Sequence, residues 1–227
     1  MTKIEVKKIC KAYDIRNWTL NLDGTVDVDG DVYLSGQRLS KLPLKFGRVT
    51  GYFDCSVNKL TSLEGCPTEI GGGFFCDNNQ LTSLVGCPKE IGGDFVCSHN
   101  KLTSLEGCPT EIRGDFYCNN NQLTSLEGCP TEIGENFYCS YNQLTSLKGA
   151  PEYIEEKVNF TANKNLPEYI KRIVGLNYYY RHAIQKYILK WQKDYDIWRK
   201  DGSFNQERFI LMMQDAGDEL KNLKFPE

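Results

Sequence analysis

Ten cysteines stand among the 227 residues, and a thiolate is both a strong nucleophile and a soft-metal ligand. Nine of them, Cys55, Cys66, Cys76, Cys87, Cys97, Cys108, Cys118, Cys129 and Cys139, alternate 11 and 10 residues apart without any C-x-x-C pair. A zinc cage needs ligands grouped within a few residues, whereas even spacing follows a structural period. The thiols are therefore expected to be free, buried and inert, holding neither metal nor disulfide. His99 and His182 are the only histidines, and neither has a readable partner for acid–base or nucleophilic work. Asp27, Asp29, Gly30 and Asp31 look like part of a calcium loop. With Gly30 at the sixth position, however, Thr25 and Gly36 would stand where the loop needs an Asp and a bidentate Glu. These acids read instead as edge protection for the first strands. No glycine-rich phosphate loop is present. The expectation is a non-enzymatic protein with no catalytic residue, metal or cofactor.

The spacing that argues against chemistry argues for an architecture. Cys55, Cys76, Cys97, Cys118 and Cys139 recur every 21 residues, and so do Asn58 to Asn142, Leu60 to Leu144, Leu63 to Leu147, Pro67 to Pro151 and Ile70 to Ile154. A fixed period of this length means stacked coils. Each unit reads F-x-C-x-x-N-x-L-T-S-L-x-G-C-P-x-E-I. The F-x-C part alternates as a half-buried strand does, with Phe74 and Cys76 inward and Phe75 outward. The chain is then expected to turn at Asn, return through two Leu, and bend at Gly-Cys-Pro, where Pro forbids a helix. One coil cannot bury its own apolar side chains. Stacked coils can, about 4.8 Å apart as a parallel sheet, with the Asn amides pairing backbone groups that the bend leaves open.

This pattern resembles the leucine-rich-repeat family, with Phe and Cys at strand positions usually held by Leu. The N-x-L-T-S-L return is similar to bacterial and bacteriophage members, including repeats of secreted ubiquitin-ligase effectors, and the stretch from Asp31 to about Asn165 resembles leucine-rich-repeat proteins of large tailed phages. Those ligases carry their catalytic Cys in a large carboxyl-terminal domain. No Cys follows Leu166 here, so the resemblance does not extend to ligase chemistry. What it implies is an α+β protein, a leucine-rich-repeat solenoid with little helix in its repeats, working by binding another protein.

Three segments follow. Residues 1–31 are expected to form an amino-terminal cap: a helix with Val6, Ile9, Cys10 and Tyr13 on one face, then a hairpin through Trp18, Leu20 and Leu22, turning at Asp23-Gly24 and returning by Val26 and Val28. Residues 32–165 are the solenoid, six coils and a truncated seventh, the first degenerate. Residues 166–227 are expected to form an antiparallel helix pair. Tyr180, Ile184, Tyr187, Ile188, Trp191, Tyr195 and Trp198 make one apolar stripe, and Phe209, Met213, Ala216 and Leu220 make another. The pair reads either as a cap over the last coil or as a self-association face for a homo-oligomer.

Charge narrows the partners. The formal net charge is -3, and residues 55–165 carry 7 Lys and Arg against 14 Asp and Glu, which disfavours nucleic acid. No apolar run approaches the roughly 18 to 20 residues that cross a bilayer, and the first residues lack the apolar core of a secretory signal, so no membrane partner and a cytoplasmic location are expected.

A protein partner is expected on the concave sheet face. The outward position after each buried Phe runs Asp54, Phe75, Val96, Tyr117, Tyr138, Asn159, an aromatic ridge on the solvent side. His99 and Tyr141 stand on one margin and Asp94 and Asp115 on the other. Phe75, Val96, Tyr117, Tyr138, Tyr141, His99, Asp94 and Asp115 are the candidate contacts. Three readings stay open for the ridge: cross-strand stacking that only stabilises the sheet, a protein-binding surface, or a seat for the tail helices. Resemblance to phage proteins implies a host protein as partner, blocked by binding, with a component of antiviral defence as one candidate. Self-association in an assembly role is the alternative.

Overall fold

The fold was analysed on a computed structural model, which describes residues 1–166 together with 205, 207 and 208. The expected carboxyl-terminal helix pair and its self-association face lie outside the described residues.

Helix α1 (Lys3–Ala12) begins where its sequence provides a cap: Thr2 accepts from the Glu5 N–H while Glu5 accepts from the Thr2 N–H, a reciprocal capping box. Val6 and Cys10 are buried, and Ile9 and Tyr13 pack half-buried against the same core. Strands β1 (Trp18–Leu20) and β2 (Val26–Val28) follow as an antiparallel hairpin with Trp18 opposite Val28. Gly24 at its turn holds φ 83, which only glycine adopts without strain. Leu22, at the turn, is fully exposed and so lies outside the hairpin's alternation.

From there the chain winds as a solenoid of parallel strands. Seven two-residue strands, from Val32–Tyr33 through Phe74–Phe75 and Phe116–Tyr117 to Val158–Asn159, form one parallel sheet, the Phe ladder, each strand paired with its equivalent in the next coil. The returning limb, expected as extended chain without strand pairing, forms a second ladder at its Glu-Ile step. Glu69–Ile70 and Glu90–Ile91 pair in parallel, and Glu111–Ile112, Glu132–Ile133 and Tyr153–Ile154 form a second run. Strand β2 pairs with Phe46–Val49 and so continues the Ile ladder toward the amino terminus.

Between the ladders the core is a set of columns. Phe74, Phe95, Phe116 and Phe137 stack with ring centroids 5.4, 5.3 and 5.4 Å apart and nearly parallel planes. All are fully buried, worth on the order of 1.5 to 3 kcal/mol each in apolar transfer. Cys76, Cys97, Cys118 and Cys139 form the adjacent column. In the last coil the two sizes exchange places: Val158 takes the Phe position and Phe160 the Cys position, meeting Phe137 edge-on at 5.5 Å, so the volume filled per coil is roughly kept.

The corner after each Phe strand needs a left-handed residue, which falls on Val57, Asn78, His99, Asn120, Tyr141 and Ala162, with φ from 51 to 58. The buried Asn that follows makes the corner affordable in polar terms. Asn79 donates to the carbonyls of Cys55, Cys76 and Asp77, and accepts from the Leu60 N–H. One side chain thereby satisfies backbone groups in two coils, as its paired donor and acceptor allow.

Candidate protein-interaction surface

Positions one before and one after each inward Phe point to the same side of the ladder, because side chains alternate along a strand. That side carries Phe75, Val96, Tyr117 and Tyr138 in consecutive coils. None is fully exposed; all four are half-buried. Lateral stacking causes this. Tyr117 and Tyr138 lie 4.6 Å apart at 12°, and Phe75 meets the half-exposed Tyr52 at 6.1 Å. Tyr52 sits one position before its Phe, in a column that otherwise holds Asp31, Gly73, Asp94, Asp115, Asn136 and Lys157, and the repeat pattern gave no signal for it.

Asp94 and Asp115 occupy that preceding position in the two middle coils, and each has a structural duty. One carboxylate oxygen of Asp94 accepts from the Asp115 N–H at 2.9 Å, and one of Asp115 from the Asn136 N–H at 2.8 Å, so each side chain replaces a carbonyl in the coil-to-coil ladder. Asp31 does the same for the Tyr52 N–H, and Asp27 for the Arg48 N–H. Asp27 and Asp31, expected as edge protection, are therefore rungs of the stack. The second oxygen of Asp115 accepts from the Tyr117 hydroxyl at 2.7 Å. Burial, followed by this bond to an anion, pushes the Tyr117 phenol well above its usual range. Tyr33 and Asp31 repeat the same pairing at 3.1 Å in the first coil. Tyr33 stands 21 residues before Asp54 and was findable by phase alone.

Glu135 completes an acidic group that spacing did not reveal, since its column is otherwise Gly from Gly51 to Gly114. Carboxylate oxygens of Asp94, Asp115 and Glu135 all lie within 4.8 Å of one another. The Asp115 charge, chiefly, pushes the Glu135 carboxyl up. These three could face one cation, yet nothing beyond their charge points to one; the group is a negative margin to the aromatic column.

On the opposite margin His99 and Tyr141 are exposed at the left-handed corner, His99 with its Nε2 3.4 Å from the Asn120 amide. All eight candidate residues thus share one side of the Phe ladder or its rim. No nucleophile is assembled there. The ten cysteines are free, and burial pushes the thiols of Cys76, Cys97 and Cys118 up, opposite to the shift an attacking thiolate needs. Among the described residues no helix is long and apolar enough to cross a membrane.

No family model matches the chain, and neither a curated protein nor a solved structure is significantly similar to it.

Proposed function

We propose that this chain is a non-enzymatic, protein-binding solenoid of the leucine-rich-repeat type, and that the outward side of its Phe ladder receives the partner. The observation that carries the reading is continuity. Phe75, Val96, Tyr117 and Tyr138 form one unbroken column of half-buried side chains over four coils, bordered by the carboxylates of Asp94, Asp115 and Glu135. Interface cores are enriched in aromatic residues with a polar rim, and solenoids present long surfaces of this kind. The resemblance of the repeat motif to phage-borne proteins is the ground for proposing a host protein as the partner, and inhibition as the consequence of binding.

The test is affinity capture from host lysate on the immobilised full chain, comparing wild type with Val96→Glu and with Tyr138→Ala. Both substitutions leave the inward Phe column intact, and melting curves verify that each variant folds. A band lost in both variants supports the reading. Identical bands with all three proteins contradict it.

A further inference from the structure

Near the amino-terminal end, the residues flanking helix α1, Met1 and Tyr13, and the return limbs of the first two coils border a groove of about 580 Å³. Its lining includes Met1, Arg38, Lys41 and Lys45, with Glu64 as the one carboxylate, and Tyr13 and the Leu39–Leu44 limb as apolar surface. The positive charge is a departure from the repeat. Lys41 stands where later coils have Ser62, Ser83 and Ser104, and Lys45 where they have Cys66, Cys87 and Cys108. Residues 36–48 consequently carry Arg38, Lys41, Lys45 and Arg48 and no acid, while the same stretch one coil later, 57–69, carries Lys59 against Glu64 and Glu69.

Stacking does not require this change, because Arg38, Lys41 and Lys45 are exposed. Edge protection does not account for it either, since residues 38–45 form no strand. Among the described residues the ion pairs lie elsewhere, at Arg16–Asp14, Arg48–Glu69 and Lys148–Glu127, so the three cationic side chains of the groove have no carboxylate partner. Arg38 is also held at φ 59, whereas its counterparts Lys59, Gln80, Lys101, Gln122 and Gln143 are not left-handed.

We infer that this groove binds an oligophosphate, the chemistry shared by inorganic polyphosphate chains and nucleoside triphosphates. Three cationic side chains offer charge-assisted hydrogen bonds to several phosphate oxygens at once. The volume lies within the roughly 300 to 1,000 Å³ of small-molecule sites, and Tyr13 with the leucine limb leaves apolar surface for a base.

Calorimetric titration of the full chain at low salt with ATP, and separately with inorganic tripolyphosphate, tests this. Both are expected to bind, and Lys41→Glu with Lys45→Glu is expected to weaken binding by about tenfold or more, the scale of one lost charge-assisted contact. Arg38→Gln should weaken it independently. The pair Lys101→Glu with Lys157→Glu changes net charge equally but lies on exposed positions three or more coils from the groove's cationic residues, and should leave affinity within about twofold. Equal affinity for the two probes assigns the phosphate chain as the ligand; tighter ATP binding assigns a nucleotide. Absence of binding by both probes, or equal weakening by the two charge-reversed pairs, overturns the inference.

Discussion

The side-chain amide of Asn100 donates to the carbonyl oxygen of Cys76 in the preceding coil at 3.0 Å and to that of Cys97 in its own coil at 3.1 Å. Its own oxygen accepts from the Leu81 N–H at 2.9 Å. One buried side chain therefore joins two coils through groups that have no water to turn to. Asn100→Ala should lower unfolding free energy by about 3 kcal/mol or more, since each orphaned buried group costs roughly 1 to 3 kcal/mol. Gln122→Ala, on the exposed side of a similar corner, should stay within about 0.5 kcal/mol. Denaturant melts of the two variants check the contrast; equal losses would contradict the role given to Asn100.

The cysteine column makes stability sensitive to alkali. Burial raises the thiol pKa of Cys76, Cys97 and Cys118 in the folded chain above the unfolded value. A group shifted upward on folding contributes stability that is present below its unfolded pKa and lost as pH rises past it. Denaturant midpoints should therefore hold steady up to about pH 8.5 and fall progressively above it. Near neutral pH a thiol reagent should leave these three unmodified in the native protein, and react with all ten cysteines once the chain is unfolded. Ready native labelling of Cys97 would contradict the buried column.

Glu135 introduces repulsion into the stack. The Asp115 carboxylate pushes the Glu135 carboxyl up, so its ionised form is disfavoured in the folded protein and stability is lost as pH rises through that pKa. Glu135→Gln should raise the melting temperature near pH 7, and the gain should vanish near about pH 3, where the carboxyls are protonated. Thermal melts at both pH values measure this. A gain that persists in acid would show that the effect is not electrostatic.

The fold was legible to the extent that a residue repeats. The Phe, Asn and Leu columns and the strand Cys recur in phase because each must stack on its own equivalent, and the structure buries all of them, whereas Cys87, Cys108 and Cys129 at the Gly-Cys-Pro corner, expected buried, are half-buried against the core. The Ile ladder was not read, because a two-residue Glu-Ile step is too short for alternation to register. The site was legible in its repeating members alone. Phe75, Val96, Tyr117 and Tyr138 are given by phase, while Tyr52 and Glu135 depart from their columns and become visible as neighbours only once the coils are stacked. The duties of Asp27 and Asp31 were missed for a related reason: the carboxylate mimics a backbone carbonyl for the coil that follows, and composition does not encode that partner.

The most direct measurement of the proposed binding face is site-specific photo-crosslinking in cells that produce the chain. A photoreactive side chain is placed at Val96, on the outward side of the Phe ladder, or at Ser83, exposed on the return limb. The account predicts a discrete covalent adduct from position 96 and none from position 83. Adducts from position 83 alone, or from neither, would contradict it.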